Sequence, residues 1–337
     1  MILAGGQRRE CAAVLAVFAA TFPFFALIAL GYLAARRGLM PLEAIPGLNV
    51  FVLYFALPCM LFRFAAGTPL AQLLDARVAL AWGVAALAMV ALATAAARRT
   101  GHPWNDAAFG ALVAAFPNTG FMGVPLLAAL LGPAVAGPVI VTIAFDMVLT
   151  SSLCIALSRL DTHEGGAAAQ AVRRALGGIV RNPMPWSMVL GALASALQWR
   201  LPAPVDRTVG MLADAASPAA LFTIGAVLAR SALRAREGGA QPPWRAALRD
   251  LLPVVGFKLL VHPLLVLGLV TALAAAGTGL SPLAGVALVL TAALPSASNV
   301  SMLAERYGAD TGRVARIILW TTVGAFLSFP LAVALLR

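Results

Sequence analysis

The sequence predicts an all-α polytopic membrane protein of ten transmembrane helices, in two inverted five-helix repeats, with broken helices 4 and 9 crossing each other. Three observations carry that prediction. The 337 residues are 61% hydrophobic and only 11% charged, with a mean hydropathy of +0.92. A soluble fold of this length needs far more charge to cover its surface. Apolar stretches of about 20 residues, the length that crosses hydrocarbon, recur along the chain. Two of them, at matching places in the two halves, are interrupted by a proline and a polar patch holding an asparagine.

The spans are read, in order, at 11–35, 45–66, 77–97, 107–131, 136–158, 182–199, 207–230, 251–276, 282–304 and 313–336. Arg8 and Arg9 ahead of the first run resemble a cleavable leader. The run from Cys11 to Ala35 is nevertheless long enough to span and ends in Arg36-Arg37, so it is read as the first helix. The polar stretches 159–181 and 231–250 read as solvated loops, with a short amphipathic helix at Ala167–Ile179. The units are therefore 1–158, the first repeat; 159–181, a connecting loop; and 182–337, the second repeat.

The net charge of +11 is almost all arginine in short loops, so it orients helices rather than binding nucleic acid. Loops after the odd-numbered helices hold sixteen arginines and the other side seven. The first set is predicted to be cytoplasmic, which puts both termini outside. Cys11, Cys59 and Cys154 are too few and too scattered for a disulfide framework or a metal site.

The repeat is visible in register. Leu30-Gly31 recurs as Leu190-Gly191, and Pro58-x-x-Leu61-Phe62 as Pro218-x-x-Leu221-Phe222, both at an offset of 160. Ala114-Ala115-Phe116-Pro117 meets Ala292-Ala293-Leu294-Pro295 at an offset of 178. An odd number of helices per repeat inverts the second half, the plan of secondary transporters.

The two interruptions are the candidate site. Proline removes an N–H and clashes with the preceding turn, so Pro117 and Pro295 are expected to break their helices; Pro58, Pro125 and Pro218 are further expected helix-breaking positions. Broken backbone in lipid survives only where protein or water satisfies it. The resulting helix ends suit an anion. Asn118, Thr119, Ser296, Ser298, Asn299 and Ser301 supply donors and acceptors, and Gly120 and Gly123 permit close approach. The bland alternative is a pair of kinked helices with no ligand.

Ionisable residues inside spans form a second group: Asp146, Asp214, Lys258 and His262. Such residues usually face a cavity or a partner. Asp146, Lys258 and His262 are the candidates for a charge pair or a coupling-ion site. Lys258, the only lysine, could pair with Asp146 or snorkel to the cytoplasmic surface. Asp214 could cap the second part of a helix kinked at Pro218, and His262 could bond a carbonyl freed by Pro263. His102 and His163 are read as loop residues without a role. No HExxH, nucleophile elbow or P-loop is present, so no enzyme is expected.

Residues Asn118-Thr119-Gly120-Phe121-Met122-Gly123-Val124-Pro125-Leu126 resemble the fourth-helix crossover of the auxin efflux carrier family, bacterial members included. Pro58-Cys59-Met60-Leu61-Phe62, Lys258-Leu259-Leu260-Val261-His262-Pro263 and the Pro295–Ser301 stretch resemble its second helix, eighth helix and second crossover. The resemblance implies the bile acid:sodium symporter fold, with helices 1, 2, 6 and 7 as scaffold and helices 3–5 and 8–10 as transport domain. It implies an elevator-type carrier of small organic anions, malonate- or malate-like carboxylates or auxin-like acids, in the bacterial inner membrane. No organic cofactor is expected. The coupling ion is left open between Na+ near the crossover and H+, and a homodimer through the scaffold helices is the expected assembly. The alternatives from other classes are a membrane-embedded ligand sensor and an intramembrane hydrolase.

Overall fold

The computed structural model describes residues 19, 22–160, 183–237, 244–277 and 280–336, and among them there is helix and no strand. The start of the first span, the amphipathic helix read at Ala167–Ile179 and most of the 159–181 loop lie outside the described residues.

Apolar runs without internal capping signals become long helices. In order they are α1 (Phe22–Arg36), α2 (Ala44–Ala66), α3 (Ala76–Arg99), α4 (Trp104–Ala115), α5 (Thr119–Leu131) and α6 (Pro133–Leu157). Then come α7 (Pro183–Ala196), α8 (Ala203–Glu237), α9 (Trp244–Gly256 continuing through His262–Ala275), α10 (Pro282–Ala293), α11 (Val300–Tyr307) and α12 (Thr311–Leu336). Local chemistry sets the ends. The Asp75 side chain accepts from the Arg77 N–H at 2.9 Å to open α3, and Ser281 accepts from Ala284 at 3.2 Å to open α10. Gly132, at φ +88°, turns the chain between α5 and α6.

Six of these helices are long and apolar enough to cross a membrane. Val323, Leu327, Leu331 and Leu335 of α12 point outward at helical spacing, and so do Leu80, Val84 and Leu87 of α3. Apolar stripes of that size on a long helix face lipid. The protein is a polytopic membrane protein.

One packing group joins α1, α2, α7 and α8, with α7 and α8 both lying along α2. Its contacts are backbone-close. A Cβ on Gly31 would strike the carbonyl of Phe222, one on Gly225 the carbonyl of Ile28, and one on Gly191 the carbonyl of Phe62. Small residues are what let membrane helices approach in this way. A second group joins α3, α4, α6, α9, α10 and α12. It is centred on fully buried Trp82, Phe109, Leu112, Leu288 and Phe329.

The stretch expected as a loop at 231–250 is largely helical: α8 runs to Glu237 and α9 begins at Trp244. Its arginines sit at helical spacing, and arginine is a good helix former.

Pro218 does not break its helix, which is continuous from Ala203 to Glu237. Pro58 and Pro125 do not break theirs either; each is preceded by a widened π turn, Val52–Ala56 and Thr119–Gly123. A third, Phe257–Val261, precedes Pro263 in the same way. In all three the π turn ends two residues before the proline. Widening the turn moves aside the carbonyl that the ring would strike and the missing N–H would leave unpaired.

Candidate functional site

The two interrupted spans meet. α4 stops at Ala115, and Phe116 is extended at φ −96°, ψ 103°. α10 stops at Ala293, and Leu294 is extended at φ −63°, ψ 154°. Pro117 and Ser296 form an isolated antiparallel bridge. The Asn118 N–H donates to the Pro295 carbonyl at 2.8 Å, and the Ala297 N–H donates to the Phe116 carbonyl at 3.0 Å. The freed backbone groups thus satisfy one another, as irregular backbone inside a membrane requires.

Ser296 completes the repair. In an unbroken helix the Val113 carbonyl would accept from residue 117, but proline has no N–H. The Ser296 hydroxyl donates to that carbonyl instead, at 2.8 Å, and the Ser296 N–H donates to Thr321 Oγ1 at 3.3 Å. Ser296 is therefore a structural member of the crossing.

The other predicted residues sort by what they still have to offer. Asn118 is buried at the bridge, and neither its Oδ1 nor that of Asn299 makes a hydrogen bond among the described residues. Thr119 is fully buried and turns its hydroxyl back to the Pro117 carbonyl at 3.4 Å. Ser301 donates to the Ser298 carbonyl at 2.7 Å, so Ser298 and Ser301 close the first turn of α11. Gly120 is half-buried beside Met184 and Leu57, where α5 faces α7 and α2. A Cβ on Gly123 would sit 2.6 Å from Leu294 Cδ1, so this glycine permits the close crossing itself.

Asp146, Lys258 and His262 are brought together and fully buried. Lys258 does not snorkel. Its Nζ lies 3.1 Å from His262 Nδ1 and donates to the Ala292 carbonyl at 3.0 Å. That carbonyl is in the last turn of α10, where a cation complements the helix dipole. Asp146 and Lys258 interact electrostatically across the cluster but form no ion pair within 4.0 Å. Asp146 Oδ1 instead accepts from Trp82 Nε1 at 3.1 Å and from the Thr150 hydroxyl at 2.8 Å. Asp146 Oδ2, His262 Nε2 and Thr291 Oγ1 have no hydrogen-bond partner among the described residues. His262 does not bond a freed carbonyl; its neighbours are Lys258 and, at 5.3 Å between ring centres, Trp82.

Asp146 also opens a fourth π turn, Asp146–Thr150. No proline follows at the spacing that accounts for the other three. The Ser151 hydroxyl occupies the Asp146 carbonyl at 2.8 Å. Single π turns inside α-helices are frequent at functional sites. Asp214 caps nothing: it lies inside α8 and pairs with Arg63 of α2 at 3.1 Å on an exposed face.

Sequence reasoning passed over Trp82 and Thr150, and also a charged latch at one end of the second packing group. There Asp250 of α9 accepts from Arg313 Nε of α12 at 2.8 Å and meets His102 Nε2 at 2.7 Å. Arg313 also donates to the Asp106 carbonyl at 3.1 Å, and the Asp310 N–H donates to the Asp106 carboxylate at 2.9 Å. His102, dismissed as a loop residue, is one corner of this latch. The only local signal was Asp310 three residues before Arg313, which caps α12 by accepting from the Arg313 N–H.

Comparison with known proteins bears on this geometry directly. A family model described as "Membrane transport protein" matches residues 16–333. A protein named "Putative malonate transporter" from Rhizobium meliloti strain 1021 is 32% identical over 307 residues, covering 89% of this chain and 90% of its own length. An uncharacterized transporter from Methanothermobacter thermautotrophicus is 27% identical over 310 residues, covering 90% and 93%. The uncharacterized transporter YfdV of Escherichia coli K12 is 26% identical over 221 residues, covering 61% and 67%. A chain matched over nearly its whole length, with two broken spans bridged at their prolines, belongs to the membrane transport protein family of auxin efflux carrier relatives.

Proposed function

We propose that this protein is a secondary carrier of small organic anions of the malonate or malate kind, and that the Pro117–Ser296 crossing is its substrate site. The observation that carries the reading is the crossing itself. Two helix breaks share one bridge, and the amide oxygens of Asn118 and Asn299 beside it are unpaired. A carboxylate only accepts hydrogen bonds, so the Nδ2–H groups of these two amides are what can hold it between the ends of α5 and α11, and the Oδ1 atoms are left to water. The malonate name of the Rhizobium relative suggests the substrate class.

The ten-helix inverted repeat accounts for the pattern of close contacts. Gly31 meets Phe222 and Gly191 meets Phe62. An offset of 160 carries the first glycine to the second and Phe62 to Phe222, so one contact maps onto the other. In this reading α1, α2, α7 and α8 are the scaffold, and α3–α6 with α9–α12 are the transport domain. The crossing rides with the transport domain past the scaffold between the two faces of the inner membrane, in elevator fashion. Two copies associate through the scaffold.

The test is uptake of labelled malonate and malate into proteoliposomes, with a neutral diamide analogue as control. Saturable uptake of the acids and none of the diamide is expected. Uptake no faster than in protein-free vesicles for every acid tried would overturn the reading.

A further inference from the structure

We propose that Asp146, Lys258 and His262 form one proton-binding site, and that its proton is the co-ion that travels with the anion. The second half rests on the carrier reading above; the first does not.

The chemistry follows from donor and acceptor roles. A lysine ammonium has donors only. Lying 3.1 Å from His262 Nδ1, it makes that nitrogen the acceptor and leaves the neutral ring's hydrogen on Nε2. Nε2–H is then a buried donor with no acceptor, while Asp146 Oδ2 is a buried acceptor with no donor. Both belong to residues that touch Trp82: its Nε1–H holds Asp146 Oδ1 and its ring lies against His262. Orphaned polar atoms of opposite role in one buried cluster are what a bridging water and an exchangeable proton satisfy.

The charged and titratable groups around Asp146 are Lys258 from α9 and Cys154 on its own helix. Around His262 the group is Lys258. Among the described residues, α3 contributes the Trp82 N–H and α10 the Ala292 carbonyl. A sodium ion is a poor fit. Asp146 Oδ1 already accepts two hydrogen bonds and the Ala292 carbonyl already accepts from Lys258, which leaves Asp146 Oδ2 beside an ammonium. A hard cation needs a shell of several oxygens.

Coupling follows from charge. With Asp146 ionised, it and Lys258 balance. A proton taken from water adds to Oδ2 and forms the carboxylic acid; no other bond is made or broken. Lys258 is then uncompensated beneath the last turn of α10, three residues before Pro295 of the crossing. Positive charge there favours an anion at the crossing. By reciprocity the bound anion favours the proton.

Three measurements on the full-length protein test this. First, infrared difference spectra on acidification should show a carboxylic acid band that Asp146→Asn lacks. Thr150→Val, which removes one donor from the same carboxylate and no charge, should shift the band's frequency and assign it. Second, malonate added to the wild-type protein in weak buffer should draw one proton from solution. Its affinity should rise as pH falls, by up to about tenfold per pH unit, the limit for one linked proton. Third, malonate binding to Asp146→Asn should be independent of pH. No titrating band from Asp146 overturns the proton site. Malonate binding without proton uptake, or accumulation driven by sodium alone, overturns the coupling. A titrating band with no malonate counterflow in the wild type leaves the proton site standing and counts against malonate carriage instead.

Discussion

At the residue scale, the crossing divides its polar side chains into those that repair backbone and those that remain available. Ser296 is spent on the Val113 carbonyl, whereas Asn118 and Asn299 keep free amide oxygens. Asn118→Ala and Asn299→Ala are therefore expected to cut malonate uptake by at least tenfold while leaving membrane insertion and melting temperature near wild type; uptake kinetics and thermal melts in detergent check this. Ser296→Ala should instead lower the melting temperature, because a buried carbonyl loses its donor at a cost of about 1–3 kcal/mol. The charged cluster gives an asymmetric expectation. Lys258→Met leaves Asp146 without an opposite charge in its cluster, a loss of about 3–5 kcal/mol. Asp146→Asn leaves Lys258 with both its hydrogen bonds and should be milder. The double variant should recover stability relative to Lys258→Met alone, and purely additive effects in that cycle would exclude coupling between the two.

At the element scale, prolines and glycines do opposite jobs. Two prolines, 117 and 295, end helices; three others, 58, 125 and 263, sit two residues after a π turn that lets the helix continue. Glycines set how near the helices lie. Gly225→Ala would drive a methyl into the Ile28 carbonyl, and backbone cannot rotate away. A destabilisation of about 1–3 kcal/mol is expected, read as a lower melting temperature. Gly256→Ala is the control: nothing lies within 4 Å, and alanine's better helix propensity predicts a gain of about 0.5–1 kcal/mol. The crossing was legible in the sequence because a proline and an asparagine inside an apolar run stand out without any knowledge of neighbours. The His102–Asp250–Arg313 latch was not, since its members lie 63 and 148 positions apart. Nor was the true partner of Asp146, because Trp82 reads as an ordinary apolar residue until its N–H is placed. Local proline content also overstated the breaks: Pro218 is absorbed inside a 35-residue helix.

At the scale of the whole molecule, two packing groups meet beside the crossing, which is built from α4 and α10 of the second. α5 touches α8, α2 touches α6, and α8 touches α12, which are the contacts an elevator motion would have to exchange. The latch of Asp250, Arg313 and Asp106 lies wholly within the second group and would keep it rigid while it moves. The arginine count, sixteen residues against seven, is the ground for proposing that the 231–250 stretch faces the cytoplasm. A cysteine introduced by Gln241→Cys in an otherwise cysteine-free chain should react with an impermeant maleimide only from the cytoplasmic side. Labelling of intact cells would invert the topology. The most direct test of the central claim, that small carboxylates pass through the Pro117–Ser296 crossing, is malonate counterflow in proteoliposomes, wild type beside Asn118→Ala. Trans-stimulated exchange in the wild type and its loss in a variant that melts normally is the predicted result. Equal exchange by both proteins would contradict the placement of the site, and no exchange by the wild type would contradict the substrate.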